Sequence, residues 1–194
     1  MPYNPDIHHR NSIRLKGYDY SQAGLYFITI CCQNRKRLFG KIRRCEMILN
    51  EAGKMIEKWY YELENKFPDI RCHEMIIMPN HFHCIIEIVG ADLHVCPNNN
   101  PTAAEHNNPT AAEHQNPTAE HIGSSVHRVV QWFKTMTTNE YIHGVKKMSW
   151  PSFDKKLWQR NYWEHIIRNS DEYQSISNYI IANPQNWNGD KLKK

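Results

Sequence analysis

Three rhythms of apolar and polar positions run along this chain. Leu25 to Cys32 (LYFITICC) is aromatic and β-branched throughout, the composition of a buried strand. Between Met47 and Glu64 the apolar positions Ile48, Ala52, Met55, Ile56, Trp59 and Leu63 recur three or four residues apart, which is one face of an amphipathic helix. Gly53 weakens that helix slightly, and Pro68 lies just beyond its end. Ile70 to Met78 and His81 to Val89 read as two more strands, so close across Pro79-Asn80 that an antiparallel hairpin is the natural connection. Helical spacing returns at Val126, Val129, Val130 and Phe133, with Ser124 or Ser125 as N-cap and an end near Ile142. Gly144 to Asp154 is a loop, and Leu157 to Arg168 is an aromatic-rich extended segment. Asn169 caps a last helix, with Glu172 three residues on as its box partner and Pro184 as its stop. Ahead of all this, residues 1–24 read as an irregular arm with a short extended piece, Ser12 to Leu15.

The order strand, helix, strand, strand, helix, strand, helix predicts an α+β fold. A βαββαβ core makes a four-stranded antiparallel sheet with two helices on one face, the ferredoxin-like or RRM-like arrangement, here followed by a C-terminal helix. The third strand is then central, which puts His81 and His83 mid-sheet. Residues 99–121 break the pattern as three near-identical copies, NNPTAAEH, NNPTAAEH and QNPTAEH. They carry no large apolar residue and cannot form a core, so a disordered, dispensable insertion at about 97–122 is expected within one domain spanning 1–194.

Composition narrows the setting. Apolar residues at 40% and aromatics at 11% suffice for a core, although mean hydropathy is −0.73. No run approaches a membrane span and the N-terminus lacks a signal-peptide core, so a soluble, cytoplasmic protein is expected. Cys31, Cys32, Cys45, Cys72, Cys84 and Cys96 form no CxxC pair and read as free thiols. Net charge is +4, but residues 98–121 hold three Glu and no Lys or Arg, leaving 24 basic against 17 acidic residues elsewhere. Clusters at Arg35-Lys36-Arg37, Lys41 with Arg43-Arg44, Lys146-Lys147 and Lys155-Lys156 suit a polyanion such as nucleic acid.

Candidate chemistry sits in two places. His81 and His83 share one face of their strand, a geometry for two metal ligands, although the pair taken alone also fits polar residues on a solvent face. In the last helix Tyr179 and Asn183 lie four apart and share a face, while Pro184 works against α geometry at Asn183. Tyrosine can attack phosphorus and hold a covalent phosphodiester when a divalent cation polarises the phosphate. His81, His83 and the Asn183 side-chain oxygen give three ligands, a mixed set that tolerates Mg²⁺ or Mn²⁺. Tyr173 and Tyr162 are rival nucleophiles, but neither has an amide four residues on.

The arm SIRLKGYDYS, the strand YFITICCQNR followed by LFG, MPNHFHCIIEI, LWQRNYWEHIIRN and EYQSISNYIIANP occur in this order over nearly the whole chain outside the repeats. Together they resemble the single-tyrosine HUH transposases, and within them the REP-associated tyrosine transposases. The resemblance implies a metal-dependent endonuclease and strand transferase on single-stranded or hairpin DNA, working through a 5′-phosphotyrosine, as monomer or homodimer. It implies His81 and His83 as metal ligands, Asn183 in the place of the family's amide ligand, and Tyr179 as nucleophile. Candidate DNA contacts are Arg14, Arg35, Lys36, Arg37, Arg160 and Arg168, while Glu164 and His165 in the matching segment acquire no role. Two other readings stand beside it: a non-catalytic or domesticated nucleic-acid-binding module on the same fold, and a metallohydrolase that uses water.

Overall fold

A computed structural model describes residues 19–90 and 124–193. The arm with Ser12 to Leu15 and Arg14, the repeat insertion and Cys96 lie outside these residues. In chain order the elements are β1 (Gly24–Cys31), β2 (Gly40–Arg43), β3 (Glu46–Leu49), α1 (Glu51–Lys66), β4 (Ile70–Met78), β5 (His81–Ile88), α2 (Val126–Lys147), β6 (Trp163–Ile167) and α3 (Ser170–Ala182). Single 3-10 turns follow β1, at Gln33–Arg35, and α3, at Trp187–Gly189.

The main sheet has the order β4-β5-β1-β6 with every pairing antiparallel, so the α+β arrangement holds and β5 is a central strand. Alternation along the strands divides its residues between two faces. One face carries Tyr26, Ile28, Ile30, Phe82, Cys84 and Ile86, which join residues of α1 (Met55, Ile56, Tyr60, Leu63) and α2 (Val129, Val130, Phe133) in the main core. The other face carries Leu25, Phe27, Ile76, Ile85 and Ile167, against which α3 sets Ile176 and Ile180. This second cluster is small and covers one end of the sheet. The other end of that face holds His81 and His83.

Two expectations need correction. The helix expected from Met47 begins at Glu51, and Met47 and Ile48 belong to a separate hairpin, β2–β3, that the periodicity concealed. Arg44 and Cys45 have φ of 52° and 64°, the backbone of a tight two-residue turn, and close this hairpin. Asn50 sets the helix start, since its Oδ1 accepts from the Gly53 N–H at 2.9 Å while its Nδ2 donates to the Leu38 carbonyl at 3.0 Å. The extended segment expected over 157–168 is a strand only at Trp163–Ile167, preceded by one bridge between Trp158 and Cys32.

Other expectations hold in part. Ser125 caps α2, while Ser124 instead bonds Asp69, and the helix runs past its expected end near Ile142, through Gly144 of the expected loop, to Lys147. At α3 the Glu172 N–H donates to Asn169 Oδ1 at 2.8 Å, but the Glu172 carboxylate accepts from the Arg168 N–H rather than from Asn169. The five described cysteines are free. No described helix is long and apolar enough to cross a membrane.

Candidate active site

The register of β5 turns His81 and His83 toward the α3 side, where both are buried, at 0% and 2% exposure. The pair is therefore not solvent-facing. Each ring is held by its other nitrogen. Asn80 Nδ2 donates to the Leu192 carbonyl at 2.7 Å, which orients the amide so that its Oδ1 accepts the His81 Nδ1–H, also at 2.7 Å. Thr29, paired with His83 across β1–β5, brings Oγ1 to 2.7 Å from His83 Nδ1. Burial, and then the charges of His83 and Arg35, push His81 down to about 2, and burial pushes His83 down to about 3. Both rings are thus neutral, the form that ligates metal, and the Asn80 acceptor leaves the His81 Nε2 lone pair on the far side of its ring.

Helix α3 brings the other half. Asn183, its C-cap, keeps helical φ and ψ of −56° and −42° despite Pro184, and its N–H donates to the Ile180 carbonyl. It therefore still shares a face with Tyr179 and is 3% exposed. Tyr179, 45% exposed, stands edge-on to Phe27 and His83 with ring centroids 6.1 and 5.4 Å away, and its hydroxyl lies 3.5 Å from His83 Nε2. Burial raises its pKa, the Asn183 side chain opposes the shift, and the charge of Asp190 adds to it. Tyr173 is committed elsewhere, donating to Glu74 Oε2 at 2.7 Å, with burial and then that bond pushing its phenol up to about 12, and Tyr162 is in the main core.

The segment after α3 folds over the pair. Trp187 stacks on His81 at 6.1 Å, and Arg37 lies 5.7 Å above the Trp187 ring. Arg35 donates to the Leu192 carbonyl at 3.3 Å, and Asp190 Oδ2 comes to 3.6 Å from His81 Nε2. Beside Tyr179 and Asn183 this segment walls an open cleft of about 800 Å³ with Gln185, Asn186 and Asn188. Three buried atoms here have no hydrogen-bond partner: His81 Nε2, Asn183 Oδ1 and Asp190 Oδ2. All are lone-pair donors, and buried unsatisfied groups of this kind cost about 1–3 kcal/mol each. A cation among them would satisfy all three, so the residues fit a divalent ion. Among the described residues no group of three or more His, Cys, Asp or Glu is placed to hold a metal ion.

No family model matches the chain. It is 41% identical over 190 residues to an uncharacterized protein of Haemophilus influenzae, a match covering 98% of this chain and 96% of that one. The chain belongs to that protein's family. A solved REP-associated tyrosine transposase bound to a REP hairpin matches with a TM-score of 0.51 and 18% identity, over 90% of this chain and 73% of that one. The resemblance to REP-associated transposases in the motifs thus has a counterpart in the fold. A putative transposase from Deinococcus radiodurans, with a TM-score of 0.45 and 11% identity over 89% of this chain and 98% of that one, is too distant to add to this.

The candidate DNA contacts separate into groups. Arg35 and Arg37 flank the site through Leu192 and Trp187, with the exposed Lys36 between them. Arg160 lines a different cleft, with Lys134, Lys155 and Lys156, and its carbonyl accepts from Lys134 Nζ at 3.0 Å. Arg168 is exposed at the start of α3, where His165 bonds Glu172 at 2.6 Å. Sequence reasoning missed Thr29, Asn80, Trp187 and Asp190. Thr29 was accessible from strand pairing, while Trp187 and Asp190 lie in a polar stretch with no periodicity to mark them.

Proposed function

We propose that this chain is a metal-dependent single-stranded DNA endonuclease and strand transferase, transposase-like, with Tyr179 as its nucleophile. One observation carries the reading: a half-exposed tyrosine hydroxyl 3.5 Å from a buried imidazole, at the edge of a pocket of orphaned lone pairs. His81, His83 and Asn183 would hold Mg²⁺ or Mn²⁺, which when bound acts as a Lewis acid on the scissile phosphate and favours phenolate nearby. Asn80 keeps the His81 Nε2 lone pair aimed at that position, and Thr29 holds the orientation of the His83 ring. The open cleft beside Tyr179 admits a backbone phosphate, and Arg35 and Arg37 supply positive charge at its border.

In the first step the Tyr179 oxygen forms a bond to phosphorus, its proton leaves to water, and the P–O3′ bond breaks. The departing oxygen takes up a proton as a free 3′-OH. The DNA 5′ end stays on Tyr179 as a phosphodiester, so bond energy is conserved and religation by a second 3′-OH needs no nucleotide cofactor. A hairpin target is favoured because the solved protein that shares this fold is described as bound to one. The test is incubation with labelled single-stranded hairpin DNA and Mn²⁺, followed by a denaturing gel. A protein-linked band that disappears with chelator and in Tyr179→Phe is expected. Cleavage that persists in Tyr179→Phe with unattached ends points to a water-using hydrolase, and chelator-insensitive binding without cleavage points to a binding module.

A further inference from the structure

His81, His83 and Asn183 are all neutral ligands, the imidazoles because burial disfavours their protonation. A cage with no anionic ligand holds a hard dication poorly, since Mg²⁺ and Mn²⁺ favour carboxylate oxygens. The missing charge is already beside them. Asp190, its side chain 9% exposed, points Oδ2 at His81 Nε2 from 3.6 Å, and neither atom has a hydrogen-bond partner. Because Asn80 Oδ1 takes the proton on His81 Nδ1, two lone pairs face each other across this gap. That contact is repulsive unless something positive lies between. Two donors each about 2.1 Å from one ion stand between about 3 and about 4.2 Å apart as their angle opens from right to straight, and the observed separation falls inside that range.

We infer that Asp190 is a fourth, charge-bearing ligand of the divalent ion, delivered by the segment that follows α3. The inference rests on the reading that His81, His83 and Asn183 hold such an ion. The carboxylate is held for the role. Its other oxygen, Oδ1, accepts from the Leu192 N–H at 2.7 Å, and the Leu192 carbonyl in turn accepts from Asn80 Nδ2 and Arg35. Asn80 therefore orients the His81 ring and anchors the Asp190 segment with the same side chain. Asn183 Oδ1, the other orphaned acceptor of this pocket, completes the set. The alternative is that Asp190 forms an ion pair with a protonated His81 and competes with metal.

The two arrangements predict opposite signs. Mn²⁺ binding to the full chain without DNA is measured by titration calorimetry or electron paramagnetic resonance, for wild type, Asp190→Asn and His83→Ala. In Asp190→Asn an oxygen remains for the Leu192 N–H, and the new amide can donate to His81 Nε2. We expect its Mn²⁺ affinity to fall about tenfold or more. Its metal-free melting temperature should hold or rise, and its Mn²⁺-induced rise in melting temperature should shrink accordingly. Unchanged or tighter Mn²⁺ binding in Asp190→Asn, with binding lost in His83→Ala, overturns the role of Asp190 and leaves the metal site standing. Wild type whose binding is indistinguishable from His83→Ala overturns both.

Discussion

Thr29 and Asn80 contribute no metal bond, yet the geometry of the site passes through them. Thr29→Val keeps the shape of a buried β1 residue and removes the partner of His83 Nδ1. Mn²⁺ affinity and the rate of adduct formation are expected to fall about 10- to 100-fold with little change in fold, measured by calorimetry and single-turnover cleavage. Wild-type values for this variant would mean that packing against Phe27, whose ring stacks on His83 at 5.4 Å, holds the imidazole instead. The two histidines also set a pH dependence. Their folded-state pKa values are depressed, so the unfolded chain binds the extra protons as pH drops below the ordinary histidine value. Their contribution to metal-free stability is complete above about pH 6.5 and is lost as pH falls, so melting temperature should decline from about pH 7 to about pH 5. Replacing both with glutamine should flatten that decline. At this scale spacing paired His81 with His83 and Tyr179 with Asn183, and the family motifs then favoured reading the pairs as a site. Asn183 survived its proline neighbour because it is the C-cap, where helical dihedrals and a bond to the Ile180 carbonyl hold it.

Among the elements, β4 and β5 were legible almost to the residue, because each carries a short apolar stretch, Met75 to Met78 and Cys84 to Ile86, and Pro79-Asn80 marks the turn between them. The β2–β3 hairpin was not, because its four-residue strands are too short for alternation to register and Ile48 happens to continue the helical period of α1. The true boundary is chemical, at Asn50. Asn50→Ala should cost about 1 kcal/mol or somewhat more, since it loses the cap and the bond to Leu38, read from denaturant midpoints. Gly53 is a sharper case. Ala is normally preferred over Gly inside a helix by about 1 kcal/mol, but a Cβ here would run into the Phe39 carbonyl and the Leu49 side chain. Gly53→Ala should therefore destabilise the protein, and a gain in stability would show that α1 can move away from the chain entering β2.

Across the whole molecule, the chain leaves the sheet after β5 and returns at α2 beside a single residue. The Val89 N–H donates to the Asp69 carbonyl, and Ser124 bonds the Asp69 carboxylate through both its N–H and hydroxyl. The connection that contains the repeats thus begins and ends at one place. Replacing residues 97–122 with a short Gly-Ser link should leave adduct formation intact and change stability by only about 1 kcal/mol, checked by melting and by the gel assay, since loop closure grows slowly with length. A collapse in either would give the repeats a structural duty that their composition does not suggest. The arrangement of the sheet was readable from element order. The fold of the segment over the histidines was not, because it is organised by single contacts, Trp187 on His81, Asp190 at Nε2 and Leu192 with Asn80, rather than by any repeating pattern. Peptide mapping of the DNA-linked protein identifies the nucleophile. After nuclease trimming, fragment spectra of the peptide that spans α3, which contains both Tyr173 and Tyr179, should place the remaining nucleotide on Tyr179. A nucleotide on Tyr173 or on any other residue would rule out Tyr179 as the nucleophile, as would cleaved DNA with no protein attached.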